Sequence, residues 1–215
     1  MYEILFENND FIIVYKECGL LSVKARGGLL NETSLFELLK QKYKELYIVH
    51  RLDKDTSGIM IFAKNREAHK NLCFMFEKGH VDKRYLALVW GSIETDNFKV
   101  TKPIKEFGSG RMGVSEDGKN AITEFKVLNR FNGFTLLEAK LLTGRRHQIR
   151  VHLYYIGNPV VGDKLYGKIE KQKKYKRMML HSYLISFKYK GKKYLFKNDE
   201  KFLKEATAGT ITRVY

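Results

Sequence analysis

An Asn-Gly pair at residues 132 and 133 places the tightest local constraint on how this chain folds. It separates residues 121–128 from residues 134–142, two runs in which apolar and polar side chains alternate. Asn-Gly between two such runs is the strongest short-range signal for a β-hairpin, because both residues tolerate a positive φ. A second hairpin is predicted over residues 181–196. We therefore expect the second half of the chain to be largely antiparallel sheet.

The first half of the chain combines short strands with helices. Strands are predicted where β-branched and aromatic residues cluster, at residues 11–15, 48–52, 58–63 and 85–89. Ser34 followed by Glu37 is a capping-box sequence, and it precedes a helix with Leu35, Leu38, Leu39 and Leu46 on one side. Helical spacing also marks residues 66–78 and 146–156. The pattern predicts an α+β fold with a mixed, mostly antiparallel central sheet flanked by helices.

The charge of the chain points to a polyanionic partner. The 215 residues include 40 Lys and Arg against 24 Asp and Glu, a net charge of +16, which favours nucleic acid. The last 48 residues alone carry +10 (14 basic against 4 acidic residues). We expect this basic C-terminal segment, with Lys171, Lys173 and Lys174, to meet phosphate groups, although a solvated lysine surface has the same composition. With no basic signal-peptide head and no apolar run near the roughly 20 residues of a membrane span, we expect a soluble, cytoplasmic protein.

Two familiar cofactor patterns are present only in part. Residues 108–113 match GxGxxG, but they lack the preceding strand and following helix that a dinucleotide site requires. His147 and His152 are five residues apart, whereas zinc-binding histidines on a helix are four apart with a Glu between them. The two cysteines, Cys18 and Cys73, are too few for a four-cysteine site. We therefore expect neither a metal ion nor a nucleotide cofactor.

The segment HRLDKDTSG, residues 50–58, is a dense polar cluster between two apolar strands. Its second half, from Asp55 to Gly58, has the composition of an ordinary β-turn. So many hydrogen-bonding side chains at the end of a strand are equally typical of a functional site. Composition alone leaves both interpretations open.

The same segment resembles the catalytic motif HRLDxxTSG of the RluA family of pseudouridine synthases. Further matches follow in the family's order at residues 83–91 (KxYxAxVxG), 110–123 (GRM…GKxAxT), 143–153 (TGRxHQIRVHL), 159–167 (PVxGDxLYG) and 180–187 (LHxxxLxF). The chain departs from the family at Lys16-Glu17-Cys18-Gly19, where Lys-Pro-x-Gly is usual, and after residue 187. The resemblance thus covers residues 50–187 with a weaker start near residue 16.

The resemblance implies an isomerase that converts a specific uridine in structured RNA, either large-subunit ribosomal RNA or transfer RNA, to pseudouridine without a metal or organic cofactor. It identifies Asp53 as the catalytic aspartate. Three roles are open to this carboxylate, namely attack on the ribose, attack on the base, or removal of the 2′ proton. Tyr85 corresponds to a tyrosine that stacks on the uracil and moves a proton. Arg150 corresponds to an arginine that forms an ion pair with the aspartate.

The resemblance also implies how RNA is held. The target base is flipped out of its stem, and Arg51 fills the vacated position. We expect further RNA contacts from His50, Thr56, Arg111, Lys119, Arg145, Arg146 and His147. Residues 1–215 are expected to form a single, monomeric pseudouridine synthase catalytic domain with two lobes around a basic cleft. No accessory RNA-binding domain and no DNA or membrane partner are expected. The alternative is a catalytically silent RNA-binding or ribosome-assembly factor on the same fold.

Overall fold

The computed structural model describes residues 2–24, 32–108 and 110–211. Its strands are β1 (Tyr2–Glu7), β2 (Phe11–Lys16), β3 (Tyr47–Ile48), β4 (Ser57–Ala63), β5 (Asp82–Trp90), β6 (Asn97–Thr101), β7 (Ile104–Glu106), β8 (Met112–Val114), β9 (Ile122–Phe131), β10 (Phe134–Leu141), β11 (Leu180–Tyr189) and β12 (Lys192–Lys197). Its helices are α1 (Leu35–Lys40), α2 (Arg66–Glu77), α3 (Gln148–Tyr155), α4 (Ile169–Gln172) and α5 (Glu200–Ile211). Within these residues, none of the helices has the length and apolar composition needed to cross a membrane.

The chain divides into two compact units. Unit 1 comprises Met1–Asp82 and Leu184–Lys197, and unit 2 comprises Lys83–Tyr183 and Asn198–Tyr215. The strands of unit 1 are ordered β1-β2-β4-β11, with β3 beside β4 and β12 beside β11. Every residue of β2 and β4 is buried, because both sequences are almost continuously apolar and can be covered on both faces. Helix α2 contributes Ala68 and Leu72 to the same core.

Two local predictions for unit 1 need correction. The capping box is present, with the Glu37 amide donating to Ser34 Oγ and the Ser34 amide donating to the Glu37 carboxylate. Helix α1 nevertheless ends at Lys40, so the buried Leu46 lies beyond it rather than on its apolar side. The strand predicted at residues 48–52 stops at Ile48. Beyond that point the backbone of Leu52 is held by the side chain of a distant serine, as described below, and not by a neighbouring strand.

Unit 2 is built on the predicted hairpin. Its strands are ordered β11-β5-β10-β9-β6, and β7 and β8 pair separately. Phe131 pairs with Phe134, which leaves the two-residue turn Asn132-Gly133 between them, and Gly133 has a φ of 77°. The hairpin prediction is therefore confirmed. Antiparallel pairing joins β1 to β2, β2 to β4, β3 to β4, β5 to β10, β9 to β10, β6 to β9, β7 to β8 and β11 to β12, which agrees with the predicted α+β class.

Candidate active site

The polar segment at residues 50–56 lies in the loop between β3 and β4 in unit 1. The Thr56 amide donates to the Asp53 carbonyl oxygen at 3.1 Å and closes a turn around the predicted catalytic residue. Ser22 Oγ donates to the Leu52 carbonyl oxygen at 2.7 Å and accepts from the Leu52 amide at 3.1 Å. Within this loop Arg51 is exposed, Asp53 is half-buried and Thr56 is buried. Backbone contacts on both sides of Asp53 therefore hold the loop before any ligand arrives.

A buried lysine also holds this loop in place. Lys16, at the end of β2, is completely buried, and its ammonium donates to the carbonyl oxygens of Leu20 (2.7 Å), Lys54 (2.9 Å) and Glu17 (3.1 Å). An ammonium has three donors, and three well-placed acceptors offset much of the cost of removing it from water. The Lys54 carbonyl also accepts from the Gly19 amide at 2.9 Å. Lys16 thus ties the residue after Asp53 to the loop that follows β2.

The loop after β2 keeps this contact although its sequence departs from the family pattern. Cys18 lies in that loop, and its Sγ donates to the carbonyl oxygen of Asp55 at 3.0 Å. Residues 16–19 depart from Lys-Pro-x-Gly only at Glu17, and they reach the Asp53 loop through the Lys16 side chain, the Gly19 amide and the Cys18 thiol. Lys16, Ser22 and Cys18 were not among the predicted site residues.

His50 makes contacts inside unit 1 as well. Its Nε2 accepts a hydrogen bond from the Ile61 amide at 3.2 Å, and its ring stacks on Phe76 with centroids 4.6 Å apart. Acceptance at Nε2 means that a neutral ring carries its proton on Nδ1. His50 therefore links the start of the loop to β4 and to α2. An RNA contact from the same ring stays a prediction.

Tyr85 lies on β5 in unit 2, opposite Ala139 of β10, and is only 6% exposed. Its neighbour Arg84 donates to Glu138 Oε1 at 3.1 Å, and the Tyr183 hydroxyl donates to the other oxygen of the same carboxylate. Burial and the Glu138 carboxylate both raise the pKa of Tyr183, so this hydroxyl stays protonated. Successive residues of a strand point to opposite faces. The Arg84–Glu138–Tyr183 network thus lies on the face of the sheet away from Tyr85.

Arg150 is held by an acid that the sequence analysis did not single out. Its Nε donates to Asp163 Oδ2 at 2.7 Å and its Nη2 to Asp163 Oδ1 at 2.8 Å, and the two side chains are 7% and 0% exposed. Asp163 Oδ1 also accepts from the amides of Leu165 (3.0 Å) and Tyr166 (3.1 Å). A bidentate pair fixes the plane of a guanidinium as well as its charge. The only signal in the sequence was the Gly-Asp step inside the PVxGDxLYG match.

Tyr166 brings three of the predicted residues together. Its buried hydroxyl accepts from the Met112 amide at 3.2 Å and is hydrogen-bonded to His147 Nδ1 at 3.0 Å. Its ring centroid lies 5.0 Å from the guanidinium carbon of Arg150 and 5.1 Å from that of Arg111. Burial raises the pKa of Tyr166, so its hydroxyl stays neutral. His147 has a left-handed φ of 56° just before α3, an uncommon conformation for a residue other than glycine.

The remaining predicted RNA contacts lie on the surface of unit 2. Lys119, Arg145 and Arg146 are exposed. Arg145 Nε donates to the Asn120 carbonyl oxygen at 2.9 Å, and Arg146 forms an exposed ion pair with Glu106 at 2.7 Å. Such an exposed pair contributes little to stability, so its arginine can exchange partners at little cost.

His152 is the second histidine of the pair that was compared with zinc-binding spacing, and it is buried within unit 2. One ring nitrogen is hydrogen-bonded to Thr123 Oγ1 at 2.8 Å and the other to the Lys102 carbonyl oxygen at 3.0 Å. Burial lowers the pKa of His152 and keeps the ring neutral. Both nitrogens are therefore used by the fold, which accounts for this histidine without a ligand.

Comparison with known proteins identifies the family. The model of the RNA pseudouridylate synthase family matches residues 10–155. An uncharacterized RNA pseudouridine synthase of Bacillus subtilis is 39% identical over 86% of this chain and 64% of that protein. The dual-specificity RNA pseudouridine synthase of Vibrio vulnificus is 37% identical over 86% of this chain and 77% of that protein. This chain belongs to the RNA pseudouridylate synthase family.

Solved structures agree with this assignment. The human RNA pseudouridylate synthase domain containing 1 superposes with a TM-score of 0.82 at 27% identity, over 97% of this chain and 87% of that one. The chain spans only about half to two-thirds of the length of the first three curated relatives, 64%, 55% and 50%. Family and fold are therefore established, and the activity of the whole protein is taken up as a proposal.

Proposed function

We propose that this chain is an RNA pseudouridine synthase that isomerises a specific uridine of structured RNA, in large-subunit ribosomal RNA or transfer RNA. Membership of the family supports the reaction class. The observation that carries the proposal is the loop at residues 50–56, where the HRLDKDT part of the motif lies on backbone anchored by Lys16 and Ser22. A carboxylate on an anchored loop needs little further ordering when a substrate arrives. Asp53 is the carboxylate that we assign to the reaction.

The reaction rearranges bonds within one nucleotide. The bond from N1 of uracil to C1′ of ribose breaks, the base turns, and C5 bonds to C1′; a proton leaves C5 and another is gained at N1. The sum is an isomerisation with no change in oxidation state. Asp53 acts by adding to the ribose, by adding to the base, or by removing the 2′ proton. Tyr85 and Arg150 keep the roles that the family resemblance implies.

RNA is recognised through charge and base flipping. The net charge of +16 attracts the phosphate backbone of a folded RNA. Flipping a base costs a few kcal/mol, and a side chain that fills the gap offsets part of that cost. Arg51 is exposed at the start of the loop and is assigned this task. We expect the protein to act as a monomer in the cytoplasm.

The test compares two acids of one loop. Purified wild type, Asp53→Asn and Asp55→Asn are incubated with unmodified large-subunit ribosomal RNA and transfer RNA, and pseudouridine is mapped by carbodiimide labelling and primer extension. We expect Asp53→Asn to abolish the modification. Asp55 is exposed and lies two residues further along, so Asp55→Asn is the matched control and should retain activity.

Two results would contradict the proposal in different ways. Pseudouridine formation by Asp53→Asn would remove Asp53 from the reaction. Absence of pseudouridine with wild type, together with retained RNA binding and an unchanged pseudouridine map in cells lacking the gene, would favour the silent RNA-binding or ribosome-assembly factor.

A further inference from the structure

The last turn of α3 presents two adjacent aromatic side chains to solvent. The preceding six residues of this helix are all buried, yet Tyr154 is 47% exposed and Tyr155 is 50% exposed. A single exposed apolar residue needs no explanation, but exposed neighbouring aromatic rings are a common feature of binding surfaces. Helix α3 therefore has a buried face that carries Arg150 and an exposed end that carries two tyrosines.

Each of these rings has a cation beside it. Lys102 Nζ lies 5.8 Å from the centroid of Tyr155, and the guanidinium carbon of Arg111 lies 5.6 Å from the centroid of Tyr154. The ion pair between Lys102 and Glu116 is long, at 3.6 Å, and Glu116 is 84% exposed, so solvent screens it strongly. We call Lys102, Arg111, Tyr154 and Tyr155 the α3 aromatic surface.

The α3 aromatic surface is continuous with the candidate site of unit 2. The ring centroid of Tyr154 lies 5.9 Å from that of Tyr166. Tyr166 in turn lies 5.0 Å from the guanidinium carbon of Arg150. One buried ring therefore separates the exposed surface from Arg150, which the family resemblance assigns to the active site.

We propose that the α3 aromatic surface binds unpaired nucleotides of the RNA next to the target uridine. The rings of Tyr154 and Tyr155 stack on bases, and Lys102 and Arg111 contact the phosphates between them. Every base has a π-face and every linkage a phosphate, so this combination accepts single-stranded RNA with little dependence on sequence. The proposal rests on the proposed function, because it names the part of the RNA substrate that this surface holds. A double-stranded segment offers phosphates but no free base faces. Loss of the tyrosine rings should therefore weaken the binding of single-stranded RNA and leave the binding of a duplex unchanged.

The experiment measures binding rather than isomerisation. The probes are a fluorescein-labelled oligouridine of about 12 nucleotides, within the usual range of single-strand sites, and a blunt RNA duplex of the same length. Tyr154→Leu/Tyr155→Leu keeps apolar bulk on the helix and removes both π-faces. Phe74→Leu is the matched control, because Phe74 is 52% exposed on α2 in unit 1 and has Lys78 Nζ 5.7 Å from its centroid.

We expect the double tyrosine variant to bind oligouridine at least about fivefold more weakly than wild type, as the loss of base stacking requires. Duplex binding by this variant and oligouridine binding by Phe74→Leu should change by less than about twofold. Lys102→Ala should weaken both probes and lower the salt dependence of binding, because a phosphate contact serves either RNA form. Thermal melting of each variant checks that the fold is intact.

Two outcomes would overturn the proposal. Unchanged oligouridine binding by the double tyrosine variant would mean that the rings only cover the stems of Lys102 and Arg111. An equal loss for oligouridine and duplex would mean a backbone contact without stacking. If wild type makes pseudouridine and the tyrosine variants bind normally, this inference alone fails. If wild type makes none and the tyrosines still select single strands, the proposed isomerase activity alone fails.

Discussion

The stability of this fold should depend on pH through one buried histidine, His181. It is 1% exposed at the start of β11, its Nε2 donates to the Asn198 carbonyl oxygen, and its ring stacks on Phe202 at 5.2 Å. Burial is the main cause that lowers its pKa from 6.5 to about 4, and the nearby Arg177 lowers it further. The folded protein therefore keeps this imidazole neutral down to about pH 4, whereas the unfolded chain protonates it near pH 6.5.

The unfolded state thus binds more protons between these two values, and the free energy of unfolding falls as the pH is lowered through this window. A shift of this size corresponds to about 3 kcal/mol. Urea unfolding followed by circular dichroism, repeated from about pH 7 to pH 4, measures this loss. His181→Gln is the control, since its amide can still donate to the Asn198 carbonyl and does not titrate. Other groups, His152 among them, titrate in both proteins and cancel in the comparison. The reasoning would be refuted if, between pH 7 and pH 4, the free energy of unfolding changed by the same amount in the two proteins to within about 1 kcal/mol.

Three further substitutions test the anchors of the candidate site. Lys16→Met removes a buried ammonium that donates to three carbonyl oxygens, and we expect the free energy of unfolding to fall by about 2 kcal/mol or more; unchanged urea unfolding would mean that this lysine is not an anchor. Asp163→Asn breaks a buried ion pair, and we expect the free energy of unfolding to fall by about 3–5 kcal/mol. Adding Arg150→Met should recover part of this loss in thermal melts. A double variant less stable than the single variant would contradict the pairing. Gly162→Ala would place its Cβ 2.0 Å from a backbone carbonyl oxygen, whereas Gly133→Ala, with nearly the same φ, meets nothing within 4 Å. We expect Gly162→Ala to lower the free energy of unfolding by about 3 kcal/mol or more and Gly133→Ala to lower it by about 1–2 kcal/mol. Equal losses would show that the backbone around residue 162 shifts and relieves the close approach.

Local signals predicted the local structure well. The two-residue turn at Asn132-Gly133, the capping box at Ser34 and the helix from Arg66 are all where their sequences place them. In each case the deciding contacts lie within a few residues. The prediction of a strand at residues 48–52 was wrong beyond Ile48. The backbone of Leu52 is hydrogen-bonded to the side chain of Ser22, about 30 residues earlier in the chain, and not to a neighbouring strand.

The candidate site was predicted by resemblance and not by geometry. Asp53, Tyr85 and Arg150 were identified from motif matches, and their roles stay predictions. Their supports were not predictable, because they depend on packing between distant segments. A lysine at a strand end is usually exposed, and carbonyl oxygens from two loops offset the cost of burying Lys16. Asp163 lies inside a quoted motif, but nothing in the spacing of 13 residues to Arg150 indicates that the two pair.

The contacts of Trp90 give unit 2 its own optical reporter. Trp90 is the only tryptophan in the chain, and its indole Nε1 donates to Gln172 Oε1 of α4 at 3.2 Å. Lys171 Nζ lies 5.7 Å from its ring, and Tyr175 meets the ring edge-on at 5.6 Å. The emission of this single indole should therefore report on how α4 and the start of the basic C-terminal segment pack against it. If RNA phosphates bind Lys171 and draw it away from the ring, the tryptophan emission should change, and no added label is needed to detect it.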